Sequence, residues 1–284
     1  MIRLVYVLAP LVVAFGVMLA APHALRSERW SVRHPDLAIG AWVSLILAGC
    51  ALFALSICAA LTLAIISAGR HHHSTWLGPT AVTILAWTGL AAVGALIALV
   101  AARFEPMSRA ERATDLQLEL LAARSGYGRD EVGGIPVVYV DGSRLAAMGV
   151  RCGGRRIIVT SALRERLTTG QLRTVLEHER AHLRRRHHLV LRLAGLNRAC
   201  FPSLRGARAF GKSVHLLVEM SADDHAARVC GVDATASALE RVAELQDLPS
   251  ATLRARRLRC GLSAATSPKR LEVLQPQRVR DHQH

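Results

Sequence analysis

The sequence predicts a mostly helical α+β fold in which three transmembrane helices precede a domain that contains a small β-sheet. Long uncharged apolar runs fill the first 103 residues, whereas helical and β-rich patterns alternate in the rest of the chain. The 284 residues are 51% hydrophobic and only 20% charged, yet their net charge is +15. We expect residues 1–103 to form a transmembrane domain, residues 104–275 a second domain and residues 276–284 a flexible tail.

Three apolar runs predict the transmembrane helices, at residues 4–21, 37–68 and 80–102. A helix needs about 20 apolar residues to cross a bilayer, and the three runs approach or exceed that length. The first run has an alternative interpretation as a signal peptide, because residues 20–24 loosely resemble a cleavage region. Only one arginine precedes this run and two more runs follow it, so we favour a span.

Arginines that flank the apolar runs predict the orientation of the chain in the membrane. The loop after the first run and the segment after the third carry three arginines each, whereas the N-terminus and the loop after the second run carry one each. Placing the first loop and the C-terminal domain in the cytoplasm therefore puts six arginines inside and two outside. We expect a multi-pass protein of the cell membrane with an outside N-terminus and a cytoplasmic C-terminal domain.

The second domain is predicted to begin with an amphipathic helix at residues 109–124, which ends before Gly126. Residues 135–140 and 156–160 are β-rich and flank a glycine-containing stretch, so we expect them to pair as a hairpin. Residues 189–217 hold five basic side chains, which argues against a fourth span and leaves an interfacial or re-entrant segment open. Further helices are expected at residues 161–167, from residue 189 and at residues 234–245.

Residues 171–188 carry the sequence pattern on which the rest of the interpretation depends. His178, Glu179 and His182 form H-E-x-x-H. Side chains four residues apart lie on one face of a helix, so the two imidazoles can bind one zinc ion. The glutamate between them can then accept a proton from a water on that ion. A surface helix whose polar side chains face water remains the alternative.

The surrounding residues support a half-buried helix for this motif. Thr168 and Gln171 have the spacing of an N-terminal capping box. The apolar residues that follow recur at helical spacing, as expected for a helix with one face in a core. They are Leu172, Val175, Leu176 and Leu183.

A third zinc ligand is needed, because catalytic zinc usually has three protein ligands and one open position. We expect it to be Glu219, in a second amphipathic segment. Asp223 lies four residues further on the same helical face, where it can accept the outer N–H of a ligating histidine. His187 and His188 are rejected, because both lie too far along the axis if the helix continues through Arg185.

Several motifs occur in an order that resembles a known family. The strand and turn at residues 157–163 precede the H-E-x-x-H helix, Glu219, Asp223 and Ala226 follow with the spacing E-x-x-x-D-x-x-A, and residues 267–271 read S-P-K-R-L. Residues 104–275 thereby resemble the membrane metallopeptidases of the BlaR/MecR type and, more distantly, the HtpX and CAAX prenyl protease family. The resemblance implies a zincin-like (mini-gluzincin) domain.

The same resemblance implies a zinc-dependent endopeptidase and assigns roles to its residues. His178, His182 and Glu219 would bind Zn²⁺, and Glu179 would be the general base. Asp223 matches the aspartate that supports a ligating histidine. Arg270 matches an arginine that lines the active site; this arginine, or a tyrosine such as Tyr139, would stabilise the oxyanion.

The resemblance also implies partners. The expected substrate is a cytosolic winged-helix repressor of the BlaI type, cleaved in a signalling pathway. Quality-control proteolysis of membrane proteins, as in HtpX, and a non-catalytic receptor with structural zinc are the alternatives. The chain has no S-x-x-K motif, so direct β-lactam sensing is not expected.

Composition argues against two other classes of protein. The six cysteines form no C-x-x-C pair, which argues against a disulfide scaffold or a zinc ribbon. The arginines are scattered and no recognition motif is present, so we expect no direct binding of nucleic acid. The lipid bilayer and a protein substrate are therefore the expected partners.

Overall fold

The structure is a computed structural model that describes residues 28–68, 77–151 and 153–264, with four isolated residues before them. Three predictions fall outside the described residues and stay predictions. They are the first span at residues 4–21 (apart from the isolated residues 9, 12, 13 and 16), the site residue Arg270 and the tail at residues 276–284.

Two long helices carry the other two predicted spans. After the short helix α1 (Glu28–Arg33), they are α2 (Pro35–Ala68) and α3 (Leu77–Ser125). Pro35–Thr62 and Trp87–Ser125 are long and apolar enough to cross a membrane, with mean hydropathies of 2.4 and 1.7. The part of the chain that the structure describes therefore has two candidate membrane helices.

Helix α3 joins two elements that the sequence predicted separately, the third span and the amphipathic helix at residues 109–124. Pro106 lies inside this helix and does not end it. A proline removes one backbone hydrogen bond, whereas the arginines, glutamates and alanines around it favour a helix. The helix ends at Ser125, directly before the predicted stop at Gly126.

A four-stranded sheet follows, with strand order β1-β2-β4-β3. Its strands are β1 (Gly126–Val132), β2 (Ile135–Val140), β3 (Ala147–Val150) and β4 (Arg156–Thr160). The predicted hairpin of β2 and β4 is wrong in direction, because these strands pair in parallel, with Val137 opposite Ile157.

The hairpins are instead β1 with β2 and β3 with β4, both antiparallel. Each turns on two adjacent glycines with positive φ, Gly133–Gly134 and Gly153–Gly154. Only glycine adopts this conformation without steric cost. Strand β1 pairs with one side of β2, and β3 pairs with one side of β4. The free sides of β2 and β4 therefore pair with each other.

The helices that complete the chain bury the inner face of the sheet. They are α4 (Ser161–Arg166), α5 (Thr169–Arg184), α6 (His187–Cys200), α7 (Arg205–Cys230), α8 (Val232–Gln246) and α9 (Pro249–Ala264). Val137, Ile157 and Val159 are fully buried and pack with apolar side chains of α5, including Leu176 and Leu183. The predicted helices at residues 161–167 and 234–245 are present as α4 and α8.

Helix α5 does not continue through Arg185, contrary to the assumption on which His187 was rejected. The helix ends at Arg184, and Arg186 has a positive φ of 53°. A tertiary contact accompanies the break, since the guanidinium of Arg185 donates to Asp36 at 2.6 Å. Helix α6 begins at His187, so the chain changes direction within two residues.

The chain divides into two compact units. One comprises the residues up to Ser31, Leu37–Arg109 and Val190–His215. Inside it, Trp42 packs on Phe210 with ring centroids 5.3 Å apart, and Arg192 lies over the ring of Phe104. The other unit comprises Val32–Asp36, Ala110–Leu189 and the residues from Leu216 onward, and it contains the sheet, α5 and the second half of α7.

Candidate metal centre

Helix α5 carries the H-E-x-x-H motif, and its N-terminus is fixed as predicted. Thr168 Oγ1 accepts from the backbone N–H of Gln171 at 3.3 Å, and Gln171 Oε1 accepts from the N–H of Thr168 at 3.1 Å. Both orphan donors at the helix start are thereby satisfied. The apolar face of the helix lies against the sheet, which fixes the rotation of the helix and turns the histidines toward α7.

The structure brings His178, His182 and Glu219 together in one cluster. The two Nε2 atoms are 3.0 Å apart, and each lies 3.6 Å from one oxygen of Glu219. A tetrahedral zinc with Zn–N bonds of about 2.05 Å separates its ligand atoms by about 3.3 Å. The three side chains therefore fit a zinc ion, and a half-exposed Glu219 leaves one side of the cluster open.

Asp223 lies behind the first histidine, in the place predicted for it. Its side chain is fully buried, and its Oδ1 is 3.0 Å from Nδ1 of His178. Burial lowers the pKa of His178, but the contacts with Asp223 and Glu219 outweigh it and raise the pKa to about 10. Burial raises the pKa of Glu219, but the contacts with His178 and Arg254 lower it by more. The net pKa is below the usual range, so this carboxylate stays ionised. The metal-free site is thus an ion-paired cluster.

Glu179 lies on the sheet side of the cluster. Its Oε2 accepts from the backbone N–H of Gly149, in strand β3, at 3.2 Å. Burial raises the pKa of Glu179 to about 7, and the opposing effect of the neighbouring His178 is smaller. A carboxylate with a pKa near neutrality can both accept and return a proton.

His187 is a neighbour of the site that the sequence interpretation missed. Its Nδ1 is 3.2 Å from Nδ1 of His182, on the side of that ring that faces away from Glu219. Burial lowers the pKa of His182 to about 3 and that of His187 to about 4, so both rings are neutral. The break after α5, where Arg186 has a positive φ, places His187 here.

Arg254 of α9 is a second missed residue. Its Nη1 donates to Glu219 Oε2 at 2.5 Å and lies 3.4 Å from Asp223 Oδ2. Nothing in the sequence distinguishes this arginine from its neighbours in an arginine-rich helix. It supplies a cation at the cluster, the property for which the sequence interpretation named Arg270.

Three other polar residues have partners outside the cluster. Tyr139, named as an alternative oxyanion donor, donates to Asp130, and Arg164 lies over its ring. Asp224 pairs with Arg257 of α9, and His225 lies 3.4 Å from Glu177.

One family model matches the chain. It is that of Peptidase family M48, and it covers residues 108–214, which include the H-E-x-x-H helix and end five residues before Glu219. No curated protein and no solved structure matches the chain. The match confirms the predicted peptidase class and, with the His-His-Glu cluster, zinc as the cofactor. It supports the HtpX side of the predicted resemblance and gives no support to the BlaR/MecR side.

Proposed function

We propose that this chain, whose residues 108–214 match Peptidase family M48, is an integral-membrane zinc endopeptidase that cleaves protein substrates. One observation carries the proposal: His178 and His182 from α5 and Glu219 from α7 converge on one point beside the buried carboxyl of Glu179. A structural zinc site has no use for such a base, which argues against a non-catalytic receptor.

Glu179 does the proton transfer in the proposed reaction. Zinc, when bound, supplies a Lewis acid that polarises the scissile carbonyl and acidifies water. The carboxylate of Glu179 accepts the proton of the attacking water and returns it to the leaving amine. Gly149 holds the carboxylate in place through its N–H, and burial raises its pKa above the usual range in the metal-free site.

An arginine stabilises the negative charge that develops on the carbonyl oxygen. Arg254 already lies at the cluster, where it holds Glu219 and Asp223. Arg270 is proposed for the same task by family resemblance. Replacing each arginine by glutamine distinguishes the two roles. Loss of the arginine that faces the oxyanion lowers kcat, whereas loss of one that only holds Glu219 lowers zinc affinity.

The substrate lies as an added strand along β3. Strand β4 lies inside the sheet, and β3 forms the edge beside it. An extended peptide that pairs with an edge strand gains backbone hydrogen bonds without regard to its sequence. The N–H of Gly149 in β3 donates to Glu179, so the proposed base lies beside this strand.

The membrane topology proposed from the arginines has independent support. Asp36, at the start of α2, accepts from Arg185, at the end of the H-E-x-x-H helix. The segment before α2 and the catalytic residues therefore belong on the same side of the membrane, the cytoplasmic side in our proposal. We retain the proposed division into residues 1–103, 104–275 and 276–284.

Two substrate classes remain, and the family match favours one. Residues 108–214 match Peptidase family M48, which agrees with the predicted resemblance to HtpX. A misfolded membrane protein is therefore the first candidate substrate. A BlaI-type winged-helix repressor is the second, and it rests only on the resemblance that the order of motifs in the sequence suggests.

The test of the proposed activity replaces the base. Glu179→Gln keeps the shape and removes the proton acceptor, so zinc content is unchanged while cleavage of a co-expressed substrate stops. Glu165→Gln, an exposed glutamate in α4, is the matched control and cleaves normally. Full turnover by the Glu179 variant would remove this residue from its role.

The test of the substrate compares the two classes in one assay. The wild type and Glu179→Gln are co-expressed either with an unstable membrane protein or with a winged-helix repressor. Fragments that appear only with the wild type identify the class. Fragments of the repressor alone would overturn our preference for membrane proteins.

A further inference from the structure

His187 occupies a buried position between a zinc ligand and two polar side chains that come from other helices. Only 4% of its surface is exposed, and its Nε2 lies 3.4 Å from Oγ of the fully buried Ser221. Ser221 Oγ lies in turn 2.5 Å from Oδ1 of Asp36. These contacts connect His182 of α5 to the first turn of α2 through α6 and α7.

The hydrogen bonds that connect these four side chains have only one consistent direction when His182 binds a metal. A ring that offers Nε2 to zinc carries its proton on Nδ1, and that N–H donates to Nδ1 of His187. His187 then carries its own proton on Nε2 and donates to Ser221 Oγ. The hydroxyl of Ser221 donates to the carboxylate of Asp36, so that every donor has an acceptor.

We propose that His187, Ser221 and Asp36 form a positioning relay for the zinc ligand His182, which links the metal site to the first turn of α2. Ligating histidines usually donate their outer N–H to a carboxylate, which fixes the ring and its tautomer. For His178 that carboxylate is Asp223, at 3.0 Å. For His182 it is Asp36, reached through two intermediate side chains.

Arg185 holds the outer end of the relay. Its Nη1 donates to both oxygens of Asp36, at 2.6 and 2.7 Å, and to Ser221 Oγ at 2.5 Å. The same arginine caps α5 at the break that turns His187 toward His182. The local break in the helix and the relay thus depend on the same contacts.

Asp36 lies in the first turn of α2, a candidate membrane helix, so the relay ends at the start of that helix. A displacement of that turn would change the acceptor that holds His182. The inference deepens the proposed function and rests on zinc binding by His178, His182 and Glu219. It does not require that a particular substrate be cleaved.

The experiment measures the zinc dissociation constant of the full chain in detergent by competition with a chelator, without substrate. His187→Leu keeps the volume and removes the acceptor, and it weakens zinc binding about 10- to 100-fold. His187→Gln retains an acceptor and recovers most of that loss, which a purely space-filling role would not produce. His215→Gln, an exposed histidine of α7, binds zinc as the wild type does.

Asp36→Asn tests the outer end, and because Asp36 is half exposed this variant folds even if the His187 variants do not. The loss of one charge contact weakens zinc binding about two- to fivefold. Asp233→Asn, an exposed aspartate of α8, is its control. Wild-type zinc affinity in His187→Leu, or the same affinity in Asp36→Asn and Asp233→Asn, would overturn the relay. A wild-type chain that binds zinc but cleaves no substrate would overturn the proposed peptidase activity and leave the relay standing.

Discussion

His178 holds a proton in the metal-free site that zinc must displace. The contacts with Asp223 and Glu219 raise its pKa to about 10, while burial lowers the pKa of His182 to about 3. Zinc binds only unprotonated imidazole. Between pH 7 and 10, therefore, one of the two ligating rings is ready for the metal and the other is not.

This difference predicts that zinc uptake at pH 8 releases about one proton per chain. The apparent zinc affinity should rise about tenfold per pH unit until the pKa of His178 is reached, because one proton is displaced. Titration calorimetry in buffers of different ionisation enthalpy measures the proton number. Asp223→Asn lowers the pKa of His178 and reduces the number released; no proton release by the wild type would contradict the ion-paired site.

Glu179 is destabilising in its ionised form. Burial raises its pKa from 4.5 to about 7, so the folded state binds more protons than the unfolded state between these values. Stability from this group is present below about pH 4.5 and is lost as the pH rises toward 7. The proposed base thus lowers the free energy of unfolding at neutral pH.

Glu179→Gln should therefore stabilise the metal-free protein above pH 7, by about 1 to 3 kcal/mol, and have little effect near pH 4. Thermal unfolding with a chelator at both pH values measures the difference. Glu165→Gln should change neither midpoint. A loss of stability in Glu179→Gln at pH 8 would show that the ionised carboxylate of Glu179 does not destabilise the folded state.

At the scale of single elements, patterns within a few residues were predictable and contacts across the chain were not. The start of α5 followed from Thr168 and Gln171, which are three residues apart and bond to each other. Its end did not, because Arg185 bonds to Asp36, 149 residues away. Strands β1 and β3 were missed, since GYGRDEV and AMGV contain few β-branched residues and depend on their hairpin partners.

The cap of α5 gives a prediction at this scale. Thr168→Ala removes the acceptor for the N–H of Gln171 and should lower stability by about 1 kcal/mol. Thr169→Ala, the next residue and also exposed, lacks this role and should change stability much less. Thermal unfolding of the two variants in the same detergent compares them. Equal effects would mean that the capping box contributes nothing.

At the scale of the whole molecule, the metal ligands could be predicted from the sequence, whereas their cationic neighbour Arg254 could not. The motif at residues 178–182 and the spacing from Glu219 to Asp223 carry chemical information in the sequence itself. Arg254 carries none, because it is one of several arginines in α9 and only the packing of α9 brings it to Glu219. The direction of the β2–β4 pair was likewise set by the strands that flank it.

The proposed topology predicts where reporters are active. The loop between α2 and α3, residues 69–76, should lie outside the cell, and residues 126–264 inside. A phosphatase that is active only outside should work when inserted in that loop and fail when fused after residue 264. The reverse pattern would place the metal site on the outer face and contradict the orientation that the arginines predict.

The central claim is that helices α5 and α7 hold one zinc ion between two imidazoles and a carboxylate. The most direct measurement is the zinc content of the purified full chain and of Glu219→Ala, with the exposed Glu244→Ala as control. We expect one zinc per chain in the wild type and the control, and loss of the metal from Glu219→Ala on dialysis. Full zinc retained by Glu219→Ala with unchanged affinity would contradict the account.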